Sequence, residues 1–315
     1  MKPRVLIFGT GAVACFVGAR LSRSGAEVTL AGTWVEAILN IEARGITVLE
    51  DAGTWQARVG VRALTEPLPE ADFVLVLVKS TQTAAVAPLA AQAVAPGGLQ
   101  LSLQNGLGNA AILEAAGANR LAQGIAFLGA TLLAPGLVRV FSGRVVLGAP
   151  PAVRDRVHDF ARLLAESGFI GEIADDLTPH VWRKLAANCA INPLSAILRV
   201  QNGALLHSPE ARATLEAAAR EVAEVARAKG IDIGPDVVAA TLDVVRRTAD
   251  NRSSMLQDVE SGRPTEIEVM NGAVVREGRA LGVTTPVNAL LLDRVRRQST
   301  GPRFEDALPS FVSQP

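Results

Sequence analysis

The chain has 315 residues, 49% of them apolar, which is enough for roughly two domains of about 150 residues, each with its own core. Its 31 basic residues balance 31 acidic ones, so no net field draws it to nucleic acid or to an anionic membrane, and neither partner is expected. The first apolar run, Val5–Phe8, is too short for a signal peptide, and no stretch approaches the ~20 apolar residues of a membrane helix; a cytoplasmic protein is expected.

Residues 4–8 (RVLIF) form a short apolar strand that stops at Gly9. A helix over 11–24 and a strand over 27–31 follow, then a helix over 35–44 and a strand over 46–50. Strand-like runs recur at 73–78 (FVLVLV) and 98–103 (LQLSL), with helical patterns at 80–94 and 107–116. Continuous apolar strands alternating with helices predict a parallel sheet covered on both faces. Segments 121–130, 137–141, 144–148 and 169–174 add strands, and 152–167 a helix. After about residue 175 the strand signal fades. Long segments of helical period fill 178–191, 208–229, 235–249, 265–281 and 286–297. The division expected is an α/β domain over 1–174, an all-helical domain over 175–299 and a loose tail over 300–315.

Gly9-Thr10-Gly11-Ala12-Val13-Ala14 matches G-x-G-x-x-G/A between a strand and a helix. Gly9 permits the tight turn, Gly11 lets backbone approach a pyrophosphate, and Ala14 keeps helix and strand close. The helix N-terminus offers unpaired N–H groups to the phosphates. An acid at the end of the second strand would grip the ribose of NAD; here stand Gly32, Thr33 and Trp34, neither acid nor Arg. Thr33 can bond the ribose or its phosphate, and Trp34 is either an adenine platform or a packing residue. Val78-Lys79-Ser80 and Gln104-Asn105-Gly106 follow strands in the same way, at the ends where ligands of open α/β sheets bind.

Lys184, Asn188 and Asn192 recur every four residues and so share one helix face. Asparagine is a poor helix former, and the face is read as lining a cleft rather than as a solvated stripe. Pro193 is expected to kink or end this helix, bringing Asn202 within reach. Asn251 and Ser254 share a face if that stretch is helical. Glu266 stacks with Met270 and Ala273 on an inward stripe while Glu268 turns outward. An inward carboxylate needs a partner; a lysine would serve, in catalysis or in a plain interhelical salt bridge. The chain lacks tyrosine, has four lysines (Lys2, Lys79, Lys184, Lys229), and arginine does not readily give up a proton, so the choice of a general acid is narrow. Cys15 and Cys189 have no metal-ligand spacing, and no metal is expected. His158, His180 and His207 fall outside all these motifs.

The segments GTGAVACFVGARL, VKSTQTAA, LQNGLGN, WRKLAANCAINPLSA and NRSSMLQDVESGRPTEIEVMNGAVV, with the last helix after Thr285-Pro286, resemble the ketopantoate reductase (2-dehydropantoate 2-reductase) family, in order and over nearly the whole chain. The resemblance implies an N-terminal Rossmann-type dinucleotide-binding domain and a C-terminal all-helical domain of the 6-phosphogluconate dehydrogenase C-terminal-like kind. It implies reduction of 2-dehydropantoate to (R)-pantoate with NADP(H), a step toward pantothenate and coenzyme A. The helical segments are apolar enough for a homodimer, and a monomer is equally admissible. Carried over by position, Lys184 is the general acid and Glu266 the supporting carboxylate. Asn105, Asn188, Asn192, Asn202, Asn251 and Ser254 match substrate-binding positions, Asn105 also reaching the nicotinamide. Gly9, Thr10, Gly11, Ala12, Val13, Thr33, Lys79 and Gln82 match cofactor positions. The family's usual Arg after the second strand is replaced at Thr33. Two other readings stand beside this one: a reductase of another small 2-oxo or 3-hydroxy acid, and a dinucleotide-binding sensor without turnover.

Overall fold

The computed structural model describes residues 2–300, in two compact units. The first comprises residues 2–104 and 108–177; the second takes in Asn105–Leu107 and residues 178–300. The expected tail over 300–315 lies outside the described residues except for Thr300, which ends the last helix.

The first unit runs β1 (Arg4–Phe8), α1 (Ala12–Arg23), β2 (Glu27–Gly32), α2 (Val35–Arg44), β3 (Ile46–Glu50), β4 (Gly53–Ala57), β5 (Gly60–Ala63) and β6 (Ala71–Val76). It continues through α3 (Thr83–Gln92), β7 (Val94–Ser102), α4 (Asn109–Ala115), β8 (Leu121–Ala134), β9 (Leu137–Gly148), α5 (Arg154–Glu166) and β10 (Ile170–Ala174). The ten strands form one sheet in the order β4-β3-β9-β8-β7-β6-β1-β2-β5, with β10 also on β9. The stretch β8-β7-β6-β1-β2-β5 is parallel throughout. The expectation of a purely parallel sheet is corrected at one side, where β8–β9 and β3–β4 pair antiparallel. Two runs expected as separate strands are one, β9: a Cβ at Gly143 would collide with the Phe127 carbonyl, so glycine lets the paired strands close up there.

Period-2 alternation explains why the central strands are apolar throughout. Val5 and Ile7 enter the core shared with α1 and α5, while Leu6 and Phe8 enter the core shared with α3 and α4. Both faces of β1 are therefore dry, as a parallel strand covered on both sides requires. The chain passes from β1 to β2 and β5 on one side and returns to β6 on the other. The carboxyl ends of β1 and β6 thus flank a topological switch point, where open α/β sheets bind ligands.

The second unit is helical: α6 (Thr178–Leu198), α7 (Pro209–Ala228), α8 (Val237–Arg247), α9 (Ser254–Glu260), α10 (Asn271–Leu281) and α11 (Pro286–Thr300) around their own apolar core. Helix α7 starts as its sequence dictates: the Ser208 side chain accepts from the Ala211 N–H, Pro209 takes the first turn and Glu210 follows. Three expectations are corrected. Pro193 does not end α6, which continues to Leu198. Glu266 lies in a turn over 266–270 rather than on the helix, which begins at Asn271. Asn251 is not helical and Ser254 opens α9, so the two do not share a helix face. No helix among the described residues is long and apolar enough to cross a membrane.

Candidate active site

The glycine turn sits at the carboxyl end of β1. Gly9 has φ 135°, a conformation that suits glycine, and a Cβ there would come 3.1 Å from the Leu77 backbone and 3.3 Å from the Ala14 Cβ. The small third residue of the motif is thus part of the same close packing. Thr10 is buried against β2: a Cβ on Gly32 would lie 2.9 Å from its Cγ2. Gly11 caps α1 without a side-chain hydrogen bond and with no acid in the first turn; a Cβ built on it meets nothing within 4 Å. Open space therefore faces the unpaired N–H groups and partial positive charge of the α1 N-terminus. This cradle fits a dinucleotide pyrophosphate, with Ala12 and Val13 half-buried beside it.

Thr33 is exposed after β2, and Trp34 is 38% exposed at the start of α2. Lys79 is half-buried beyond β6 and caps a short 3-10 turn, accepting at its carbonyl from the Gln82 N–H at 2.8 Å; the Gln82 side chain is exposed. Gln104 braces this rim. Its Nε2 donates to the Val78 carbonyl at 2.9 Å and to Thr83 Oγ1 at 2.8 Å, and its Oε1 accepts from Ser102 Oγ at 3.0 Å. The carboxyl ends of β6 and β7 are tied together by one amide.

In the second unit, Asn105 is placed by its neighbours. Leu107 N–H donates to the Val269 carbonyl at 2.8 Å, and Gly106, with φ 79°, approaches that carbonyl too closely for any Cβ. The segment is thereby laid along the turn that holds Glu266. Asn105 Nδ2 donates to Glu266 Oε2 at 3.5 Å. Glu266 is 6% exposed, with Met270 and Ala273 buried beside it, while Glu268 faces outward and pairs with Arg296. Lys184 interacts with the same carboxylate. Burial lowers its pKa from 10.5 to about 8, and Glu266 pulls it partly back up. Lys184, Asn188 and Asn192 do stack along α6, and the stripe is not solvated: Asn188 is half-buried and Asn192 buried, its Nδ2 3.8 Å from Met270 Sδ.

The remaining expected residues divide. Asn202 is buried: its Nδ2 donates to Thr248 Oγ1 at 2.9 Å, its backbone N–H to the Asn251 carbonyl at 3.0 Å, and its Oδ1 has no hydrogen-bond partner among the described residues. Asn251 is half-buried. Ser254 is exposed; its neighbour Ser253 is the buried one. Ser253 Oγ accepts from Leu256 N–H at 3.1 Å as the α9 cap and lies 2.7 Å from Ser195 Oγ on α6. In the polar cluster Asn251-Arg252-Ser253-Ser254, the signal that singles out Ser253 is its place before an apolar helical run, where a serine caps.

Both cysteines are buried thiols whose pKa burial raises, that of Cys15 to about 12, so neither offers a thiolate near neutral pH. Among the described residues no cluster of His, Cys, Asp and Glu could hold a metal ion. A depression of about 770 Å³ lies at the amino ends of β1 and β2, where Arg4 pairs with Asp72 and Arg156 with Asp159, each at 2.8 Å. It is at the opposite end of the strands from the glycine turn.

The model of ketopantoate reductase PanE/ApbA matches residues 5–152, and that of the ketopantoate reductase PanE/ApbA C terminal matches 176–299. The 2-dehydropantoate 2-reductase of Halobacterium salinarum is 35% identical over 93% of this chain and 98% of its own; that of Archaeoglobus fulgidus is 34% identical over 95% and 98%. Among solved structures, a PanE/ApbA family ketopantoate reductase from Ralstonia eutropha superposes with a TM-score of 0.86 at 33% identity, covering 94% of this chain and 98% of that one. A D-mandelate dehydrogenase with NADH and anilino(oxo)acetate superposes with a TM-score of 0.89 at 27% identity, with the same coverage.

Proposed function

Because the chain belongs to the ketopantoate reductase PanE/ApbA family, we propose that this oxidoreductase reduces 2-dehydropantoate to (R)-pantoate with NADPH, Lys184 acting as general acid. The observation that carries the reading is the buried Glu266 carboxylate with half-buried Lys184 and Asn105 upon it in the second unit. A reduced nicotinamide dinucleotide whose pyrophosphate is held by the glycine turn would supply the hydride. Hydride addition to C2 of a ketone leaves negative charge on its oxygen. The Lys184 ammonium stabilises that charge and passes it a proton, then regains one from solvent. A lysine held near pKa 8 is still protonated at neutral pH and releases its proton more readily than an exposed one. Glu266 keeps the amine charged before the reaction. The Asn188 and Asn192 amides offer donors and acceptors for the carboxylate and hydroxyl of the substrate, with Asn202, Asn251 and Ser254 assigned to the same role.

The backbone of Gly9–Val13 is assigned to the pyrophosphate, and Thr33, Lys79, Gln82 and Asn105 to the rest of the cofactor. With no Arg at Thr33, Lys79, half-buried beyond β6, is assigned to cofactor phosphate. The likeness to a D-mandelate dehydrogenase favours a second reading, another 2-oxo acid on the same machinery with NADH.

The test is consumption of NADPH and NADH with 2-dehydropantoate and a panel of 2-oxo acids. Lys184→Ala is expected to lower kcat by about 10²-fold or more, the scale of acid catalysis. Wild-type turnover in that variant removes Lys184 from the mechanism. A preference above about 10-fold in kcat/KM for another acid replaces 2-dehydropantoate as substrate.

A further inference from the structure

Pro193 lies inside α6. A proline there has no N–H to give the carbonyl four residues back, so the Cys189 carbonyl loses its helical partner. A buried orphan carbonyl costs on the order of 1–3 kcal/mol. Here it is not orphaned: Asn271 Nδ2 donates to Cys189 O at 2.9 Å from the first residue of α10.

The direction of this bond is dictated by a chain of buried groups. The Glu221 carboxylate accepts from the backbone N–H of Val287 at 2.7 Å and of Asn288 at 2.9 Å, at the start of α11. It also accepts from Asn288 Nδ2 at 2.7 Å, and the same nitrogen donates to the Ala218 carbonyl at 3.1 Å. With both amide protons used, Asn288 presents its Oδ1 to Asn271, which donates over 3.0 Å. Asn271 therefore faces two acceptors and spends both Nδ2 protons on them. Its own Oδ1 is left without a hydrogen-bond partner among the described residues. A residue that tolerates a buried orphan acceptor is held there for its donors.

The location gives the chain its consequence. The Cys189 carbonyl belongs to the turn of α6 between Asn188 and Asn192. Asn271 directly follows the turn over 266–270 that bears Glu266. We infer that Asn271 is a positioning residue: its amide replaces the backbone donor that Pro193 removes, fixes Asn192 against Lys184 and Asn188, and ties that face to the turn carrying Glu266. The inference rests on the reading of this face as the site of reduction.

The experiment is a double-mutant cycle of Asn271→Ala and Pro193→Ala, with kcat/KM and melting temperature read for all four proteins. Alanine at 193 restores the helical N–H to Cys189 O, so the Asn271 donor becomes redundant at that carbonyl. Asn271→Ala alone is expected to lower kcat/KM for the 2-oxo acid about tenfold to a hundredfold, the scale of a small misplacement remote from the chemistry. KM for the nicotinamide cofactor stays unchanged. Pro193→Ala alone stays within about twofold of wild type, and adding it to Asn271→Ala recovers most of the lost kcat/KM, a coupling of the size seen between residues sharing a partner. An additive cycle overturns the inference, as does a cycle coupled in melting temperature with no recovery of kcat/KM. Should Asn271→Ala not fold, Asn271→Ser, which keeps one donor, enters the same cycle. Lys184→Ala measured in parallel separates the two readings. Wild-type turnover there refutes the proposed function. An additive cycle in an enzyme that needs Lys184 refutes the positioning role alone.

Discussion

Glu266 and burial act on Lys184 in opposite directions, and burial prevails: the ammonium sits near pKa 8, below the 10.5 of an unperturbed lysine. The buried carboxylate comes from a turn and the amine from the middle of α6, which the chain separates widely. Their pairing leaves a charged acid that is close to its point of deprotonation.

The pH dependence follows from that balance. Reduction needs the protonated amine, so kcat/KM for the 2-oxo acid is expected to hold at neutral pH and fall as pH rises through about 8. Oxidation of the hydroxy acid needs the neutral amine and is expected to rise over the same interval. Glu266→Gln removes the group that raises the pKa, so the falling limb should move to lower pH. Profiles of both directions, in wild type and variant, check the sign; a limb that moves upward contradicts it.

Lys184→Arg keeps the positive charge but supplies a group that does not readily release a proton. The expectation is a fall in kcat of about 10²-fold or more with a smaller change in substrate KM. Steady-state kinetics with the preferred 2-oxo acid measure it, and an unchanged kcat assigns the proton to another donor.

Gly9→Ala forces an L-residue to φ 135° and pushes a methyl group to 3.1 Å from the Leu77 backbone. Strain of this kind costs about 1–3 kcal/mol. Melting temperature should fall and the dinucleotide should bind at least about tenfold more weakly, because a loss of 1.4 kcal/mol is already a factor of ten. Titration of cofactor fluorescence reads the second effect, and undiminished affinity removes the turn from the cofactor site.

Lys79→Ala is expected to raise KM for NADPH by about tenfold, the scale of a charge-assisted hydrogen bond, with kcat far less affected. A larger effect on NADPH than on NADH assigns the ammonium to the 2′-phosphate. Equal effects assign it to the pyrophosphate, and no effect on either leaves the cofactor to the backbone of the turn.

Arg199 ends α6 with φ 56°, and Val200 N–H reaches back to the Ser195 carbonyl at 3.1 Å. This is a left-handed helix end, a place where glycine is favoured. Arg199→Gly is expected to stabilise the protein by about 0.5–1 kcal/mol, the strain relieved less the added freedom of the unfolded glycine. Denaturant unfolding measures it; a destabilised variant means that the Arg199 side chain contributes more than its backbone costs.

Much of the fold is legible in the sequence. The apolar runs of β1 and β6 are dry on both faces and so carry their signal in composition alone. The glycine turn is legible because only a residue without Cβ fits between β1, β6 and α1. The four-residue spacing of Lys184, Asn188 and Asn192 survives because a helix places such residues on one face regardless of what packs around it. The edge strands β4 and β5 were not legible: they are short, bounded by glycine and largely exposed, so no apolar alternation marks them.

Local chemistry determined which segments could be strands or helices, and which polar residues would stand together on one element, since those depend only on period and side-chain type. It could not say where a lost hydrogen bond would be replaced. Pro193 breaks a helix in isolation, and α6 continues because an amide distant in sequence, Asn271, satisfies the carbonyl it exposes. The same holds for Glu266, whose neighbours Asn105 and Lys184 arrive from other parts of the chain. Partners distant in sequence are supplied by tertiary packing, and that packing alone sets the Lys184 amine near pKa 8.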